Sequence, residues 1–158
     1  MSTCIEVYTD GSCHTQRRTG AWASVLMYNG NKMELTGECA ETTHNRMELI
    51  AVIEAVQYVD ENKMFAPIVV YTDSQYASLI PERKDKIKRR NFRTNRGTMM
   101  QNADLIEKLI HQIETHDIRF IKVKAHQRCS DAITLLNTEV DRMARELVRK
   151  QVKTGKQE

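Results

Sequence analysis

The chain has 158 residues, of which 41% are hydrophobic and 28% charged, with a formal net charge of +3. That length suits one domain with a core of its own. No apolar run approaches the roughly 20 residues of a membrane-spanning helix, so the composition argues against a membrane partner. The four cysteines (Cys4, Cys13, Cys39, Cys129) show no C-x-x-C spacing and read as reduced thiols. A zinc site from Cys13, His14 and Cys129 is the weaker reading. The first residues enter a strand without a basic-then-apolar leader, which makes the expected location cytoplasmic.

Ile5, Val7 and Thr9 alternate with Glu6, Tyr8 and Asp10, the period of a strand. Gly11 is expected to break the run and leave Asp10 at the strand's end. A polar turn over Ser12–Gly20 leads to strands at Ala21–Tyr28 and Lys32–Glu38 about an Asn29-Gly30-Asn31 turn, an antiparallel meander. Asn45 to about Val59 reads as a helix apolar over most of its circumference, and hence buried. Ile68–Thr72 is a fourth strand reached through that helix, so it should run parallel to its partner. It ends in Tyr71-Thr72-Asp73, repeating Tyr8-Thr9-Asp10. If the two strands are neighbours, Asp10 and Asp73 lie side by side. Two such carboxylates repel and raise a pKa unless a cation sits between them.

Ser74 to about Leu79 begins a short helix that Pro81 should stop. Glu82–Arg96 then holds eight Lys/Arg (Arg83, Lys84, Lys86, Lys88, Arg89, Arg90, Arg93, Arg96) against Glu82 and Asp85, a net of +6, so the rest of the chain nets −3. A solvated helix face is the plain reading. The density and uniform sign favour a polyanion partner instead. Asn102, a plausible N-cap, opens an amphipathic helix to about His116. Ile118–Val123 is a fifth strand, Lys124–Leu136 a loop carrying His126, and Thr138 to about Arg149 a last helix. The expected domain covers residues 1–150, with 151–158 a disordered polar tail. This order gives an α/β fold: a mixed five-stranded sheet, three strands antiparallel and two parallel, flanked by helices.

Each candidate acid has a plain structural explanation. Asn45-x-x-Glu48 fits a capping box, Asp73 could cap the next helix, and Asp141 near a helix start would suit the helix dipole. His126 alone reads as a surface residue. Convergence is what points to chemistry. Four carboxylates together suit Mg²⁺, which prefers oxygen ligands, and two such ions can hold the attacking water and leaving oxygen of a phosphodiester. A loop histidine beside them could carry protons.

Tyr8-Thr9-Asp10-Gly11-Ser12-Cys13, Thr42-Thr43-His44-Asn45-Arg46-Met47-Glu48-Leu49, Tyr71-Thr72-Asp73-Ser74-Gln75-Tyr76, Val123-Lys124-Ala125-His126 and Asn137-Thr138-Glu139-Val140-Asp141 together resemble type 1 ribonuclease H over nearly the whole chain. The resemblance implies a ribonuclease H-like fold and endonucleolytic hydrolysis of the RNA strand of RNA–DNA hybrids, leaving 5′-phosphate and 3′-hydroxyl ends, with Mg²⁺ or Mn²⁺. It implies that Asp10, Glu48, Asp73 and Asp141 hold metal and that His126 is the mobile catalytic histidine. It further implies that Asn45, Gln75 and the Gly11 backbone face the hybrid's minor groove, and that Thr43 and Asn102 grip a DNA-strand phosphate. The segment containing Lys88, Arg89, Arg90 and Arg93 takes the place of the family's basic protrusion. A-form-like hybrids are read by shape and 2′-hydroxyls, and basic residues hold their phosphates.

The sequence departs from that pattern in four places. His14-Thr15-Gln16-Arg17-Arg18-Thr19-Gly20 replaces a Gly/Pro-rich turn, and His44 stands where Asn is frequent. The protrusion lacks tryptophan, with Phe92 as the substitute. The His126–Asp141 stretch is long, as in retroviral domains. The expectation is a free-standing monomeric enzyme. The alternatives are a catalytically inactive hybrid-binding module of the same fold, and a related nuclease acting on other DNA structures. Four carboxylates beside a phosphate backbone argue against the first. Asn45 and Gln75 argue against the second.

Overall fold

The computed structural model describes residues 3–124 and 131–155. The elements in chain order are β1 (Ile5–His14), β2 (Thr19–Tyr28), β3 (Asn31–Cys39), α1 (His44–Glu61), β4 (Ile68–Thr72), α2 (Gln75–Ser78), α3 (Ile80–Arg89), α4 (Ala103–Thr115), β5 (Ile118–Lys122) and α5 (Ala132–Gly155). One sheet runs β3-β2-β1-β4-β5. β1, β2 and β3 pair antiparallel, and β4 and β5 join β1 in parallel, as expected for a strand reached through a helix.

Alternation along the central strands divides the core in two. Ile5 and Val7 of β1 and Leu26 of β2 meet α1 and α4, through Leu49, Val52, Ile53, Val56, Ile106 and Leu109. Tyr8, Ala23 and Val25 point the other way and meet Val140 and Ala144 of α5. The helices therefore cover both faces of the sheet. None of the described helices is long and apolar enough to cross a membrane.

Several boundaries differ from the sequence expectation, each for a physical reason. β1 passes straight through Asp10 and Gly11 to His14, pairing Gly11 with Trp22 and Ser12 with Ala21. Gly11 does not end the strand; it makes room. A Cβ there would lie 2.6 Å from the Glu48 amide nitrogen and 2.6 Å from the Met47 carbonyl carbon, so only glycine lets α1 cross this close. Asn29 and Gly30 both take positive φ, 51° and 77°, as a two-residue hairpin turn requires.

Pro81 does not stop a helix but begins α3 in its first turn, where a missing N–H costs nothing. The basic run is thus helical through Arg89. Buried Ile80 and Ile87 anchor it, and Lys84 and Lys88 share Glu114 of α4 at 3.7 and 2.9 Å. Asn102 stands at the N-cap position of α4, but its backbone is left-handed and its side chain makes no cap bond.

α5 starts at Ala132, six residues before the expected Thr138, because the Asp131 carboxylate caps it through the Thr134 amide at 2.8 Å. It also continues to Gly155, so the expected domain boundary at residue 150 falls inside it. Gln151 Nε2 donates to the Gly20 carbonyl at 3.1 Å, which ties residues expected in a frayed tail to the sheet.

Replacing Gly11 by Ala should force α1 off β1. We expect Gly11→Ala to lose about 1–3 kcal/mol of stability, the usual cost of overpacking. This would be read as a lower urea midpoint at unchanged m-value; an unchanged midpoint would show that the close approach is not required.

Candidate active site

Four elements deliver the expected carboxylates to one end of the sheet. Asp10 lies on β1 and is 4% exposed. Because Thr9 pairs with Thr72 in parallel register, Asp73, one residue past β4, falls beside it. Glu48, 1% exposed, comes from the second turn of α1. Asp141 comes from the middle of α5. The structure therefore corrects two expected placements: Asp10 lies mid-strand rather than at the strand's end, and Asp141 mid-helix rather than near a helix start. Below the aspartates, two residues back on each strand, Tyr8 and Tyr71 stack with ring centroids 4.8 Å apart.

The plain explanations fail one by one. Thr43, not Asn45, caps α1, accepting from the Arg46 amide at 3.2 Å. Ser74, not Asp73, caps α2, accepting from the Ala77 amide at 3.0 Å. Asp141 is remote from the positive end of its helix. Glu48 instead accepts from the Gly11 amide at 3.0 Å, and the same amide donates to Asp10 Oδ1 at 2.9 Å.

Asp10, Glu48 and Asp73 each present an oxygen within 4.8 Å of the others. Burial first, then the charges of Glu48 and Asp73, pushes the Asp10 carboxyl far above the ordinary carboxylate range. Burial does the same to Glu48, against the hydrogen bonding that lowers it. Glu48 Oε2 is buried without any hydrogen-bond donor. Crowded, acceptor-only oxygens with one orphaned are what a hard divalent cation satisfies, so this donor set fits a metal. Among the described residues no other metal-binding group appears; Cys13 is engaged with carbonyls of His14 and Thr42, and Cys129 of the zinc reading lies outside the described residues.

A cavity of about 360 Å³ opens on this cluster, lined by Asp10, Gly11, His44, Asn45, Asp73, Gln75, Asp141 and Arg145 among others. It thus brings Asn45 and Gln75 to the carboxylates as expected. Two basic residues reach the carboxylates: His44, noted in the sequence only as a departure from the family pattern, and Arg145, which the sequence reading missed. His44 Nε2 lies 3.4 Å from Glu48 Oε1, and Arg145 Nε lies 3.1 Å from Asp141 Oδ1. Both pairs are spaced i,i+4 on their own helices, a signal that was legible but unspecific.

Thr43 and Asn102 are linked through Arg46, also missed. Its guanidinium donates to Asn102 Oδ1 at 3.2 Å and grips Asp104 at 3.0 Å through both terminal nitrogens. Asn102 Nδ2 donates to the Tyr76 hydroxyl at 3.2 Å. In the basic segment, Lys88 is held by Glu114, and Phe92, named as the substitute for tryptophan, packs on the core. Arg83, Lys86, Arg90 and Arg93 instead line a separate cavity of about 270 Å³. His126 lies outside the described residues.

The RNase H family model matches residues 2–149. A ribonuclease H of Xanthomonas oryzae pv. oryzae is 41% identical over 142 residues, 89% of each chain. One of Caldicellulosiruptor saccharolyticus is 33% identical over 147 residues, 92% of this chain and 96% of that one. Among solved structures, LC9-RNase H1, a type 1 RNase H with the type 2 active-site motif, shares the fold with a TM-score of 0.79 at 20% identity, over 96% of this chain and 74% of that one. LC11-RNase H1 in complex with RNA/DNA hybrid aligns with a TM-score of 0.66 at 18% identity, over 94% and 99% of the two chains. The chain belongs to the RNase H family. It is accordingly an endoribonuclease, and the family's reaction depends on metal.

The raised carboxyls make a prediction about metal-free protein. Their folded-state pKa values exceed the unfolded ones, so protonation stabilises the fold. That stability is full below about pH 4, the ordinary carboxylate pKa, and is lost as pH climbs through the raised values. In EDTA the melting temperature should therefore fall between pH 5 and pH 8. Asp10→Asn should flatten that fall and gain about 1–3 kcal/mol at pH 8. A variant less stable than the parent at pH 8 would refute the repulsion.

Proposed function

We propose that this protein hydrolyses the RNA strand of RNA–DNA hybrids at the Asp10–Glu48–Asp73–Asp141 site, leaving 5′-phosphate and 3′-hydroxyl ends. The observation that carries the proposal is one cavity lined by Asp10, Asp73 and Asp141 and by the exposed polar pair Asn45 and Gln75, with Glu48 converging on the same aspartates. The carboxylates suit phosphodiester chemistry. The polar pair suits 2′-hydroxyls in a wide, shallow minor groove.

In this reading Asp10, Glu48, Asp73 and Asp141 hold Mg²⁺, for which Mn²⁺ can substitute. The bound metal supplies an activated water and charge stabilisation at the scissile phosphate. The Gly11 amide fixes Asp10 and Glu48 in place and offers its backbone to the RNA strand. Asn45 and Gln75 orient that strand, Thr43 and Asn102 grip a DNA-strand phosphate, and His126 moves protons during cleavage and product release.

Asn102 lies buried between Arg46 and Tyr76, so a phosphate there would share the network with the Arg46 guanidinium. Arg89, Arg90 and Arg93 attract the hybrid backbone, together with Arg83 and Lys86. Lys88 contributes less than the sequence suggested because Glu114 neutralises it. We read the enzyme as a monomer and place it in the cytoplasm, a location supported by the reduced thiols of Cys13 and Cys39.

An end-labelled RNA strand offered as hybrid, as single- or double-stranded RNA, and beside double-stranded DNA tests the reading. Cutting confined to the hybrid, present with Mg²⁺ and absent with EDTA, is the expected outcome. Binding without cutting in either Mg²⁺ or Mn²⁺ would support the inactive hybrid-binding module instead.

The grip has its own test. Neutralising Arg83, Lys86, Arg90 and Arg93 should raise KM and lower the salt slope of hybrid binding by about one per lost phosphate contact. Lys88→Ala alone should leave the slope nearly unchanged. Equal effects of the two changes would contradict the charge assignment.

A further inference from the structure

The four carboxylates are not equivalent. Three of them converge within 4.8 Å. Asp141 lines the same cavity and stands near enough to Asp10 to act on its carboxyl, but it is outside the convergent set. Its Oδ1 is held by Arg145 Nε at 3.1 Å. The backbone beneath this pair is fixed, because Val140, Ala144 and Val148 of α5 are buried and two of them pack on Tyr8, Ala23 and Val25. Only side-chain rotation can carry Asp141 to a cation or Arg145 away from it. The Arg145 side chain is 47% exposed, so it has room to turn.

We propose that Arg145 is a positioning residue whose guanidinium competes with a divalent cation for Asp141, and so sets the concentration at which a second cation joins the one held by Asp10, Glu48 and Asp73. The inference rests on the metal reading of the site but not on hybrid cleavage. The competition has two parts. The ion pair occupies the Asp141 oxygen, and the guanidinium charge repels an incoming cation. A half-exposed ion pair contributes up to about 1 kcal/mol, and a nearby like charge adds to that.

A nucleic-acid phosphate would relieve both effects, since guanidinium pairs well with phosphate oxygens. The arrangement therefore makes filling of the second position respond to the substrate's backbone.

The test is Mn²⁺ binding without nucleic acid, followed by the paramagnetic resonance of free Mn²⁺ and by calorimetry. The parent protein should show a tight event and a weak one. Arg145→Gln should move the weak event to about fivefold lower Mn²⁺ or below and leave the tight event in place. Arg145→Lys, which keeps the charge, should stay near the parent and serves if the glutamine variant folds poorly. If Arg145 acts through Asp141, Asp141→Asn combined with Arg145→Gln should bind like Asp141→Asn alone. A weak event that stays put or is missing in Arg145→Gln, or two events that shift by the same factor, would overturn the proposal. Loss of hybrid affinity with unchanged Mn²⁺ binding would assign Arg145 to substrate contact and overturn it as well. The readout needs no substrate, so failure of the hybrid-cleavage reading would leave this result standing.

Discussion

A single backbone amide holds together two side chains that would otherwise separate. Gly11 N–H donates to Asp10 on its own strand and to Glu48 on α1. Both carboxyls are nearly inaccessible to water, where like charges are most costly. The amide can serve both because α1 lies almost in contact with β1 at this residue, closer than any side chain would allow. Move the helix outward and Glu48 leaves the site. Once α1 is fixed, β4 brings Asp73 by register and α5 brings Asp141 by its packing on the far face. Local instability at the carboxylates is held by the well-packed sheet and helices around them, a common balance at functional sites.

Charge is sorted over the surface in a related way. The carboxylates sit deep at the sheet end, while cations of α3 and the following turn line a separate groove. Some of those cations serve the fold: Lys84 and Lys88 share Glu114 and hold α3 to α4. Arg46 likewise ties α1 to the start of α4 through Asp104. Basic residues near the site thus divide into those that brace helices and those left facing outward. Composition alone cannot separate the two groups, since partners such as Glu114 lie far away in sequence.

The strands and the antiparallel meander were legible because alternation reports directly on covered faces and the turn residues on hairpins. That β4 runs parallel to its partner followed from the helix leading into it, whereas its place beside β1 was only a conditional expectation that the register now fills. The carboxylates were legible as a set from their motifs, but their placement was not. Gly11 looked like a strand breaker because the sequence does not show what crosses above it. Pro81 looked like a stop because the sequence does not show that a second helix opens at once after the first, with Leu79 closing one and preceding the other. The early start of α5 was hidden by polar residues around Asp131, although Ile133, Leu136, Val140 and Met143 already share one helical face. Arg145 was invisible as a participant, since an Asp–Arg pair one turn apart is ordinary on any helix.

The order in which the site's parts enter the chain has a consequence for synthesis. β1 supplies its aspartate before any other described element is made, yet its parallel side is paired only once β4 exists, and α5, which carries Asp141, follows all the other described elements. Such long-range contacts form late and together. A nascent chain therefore exposes its basic segment well before its four acids can meet.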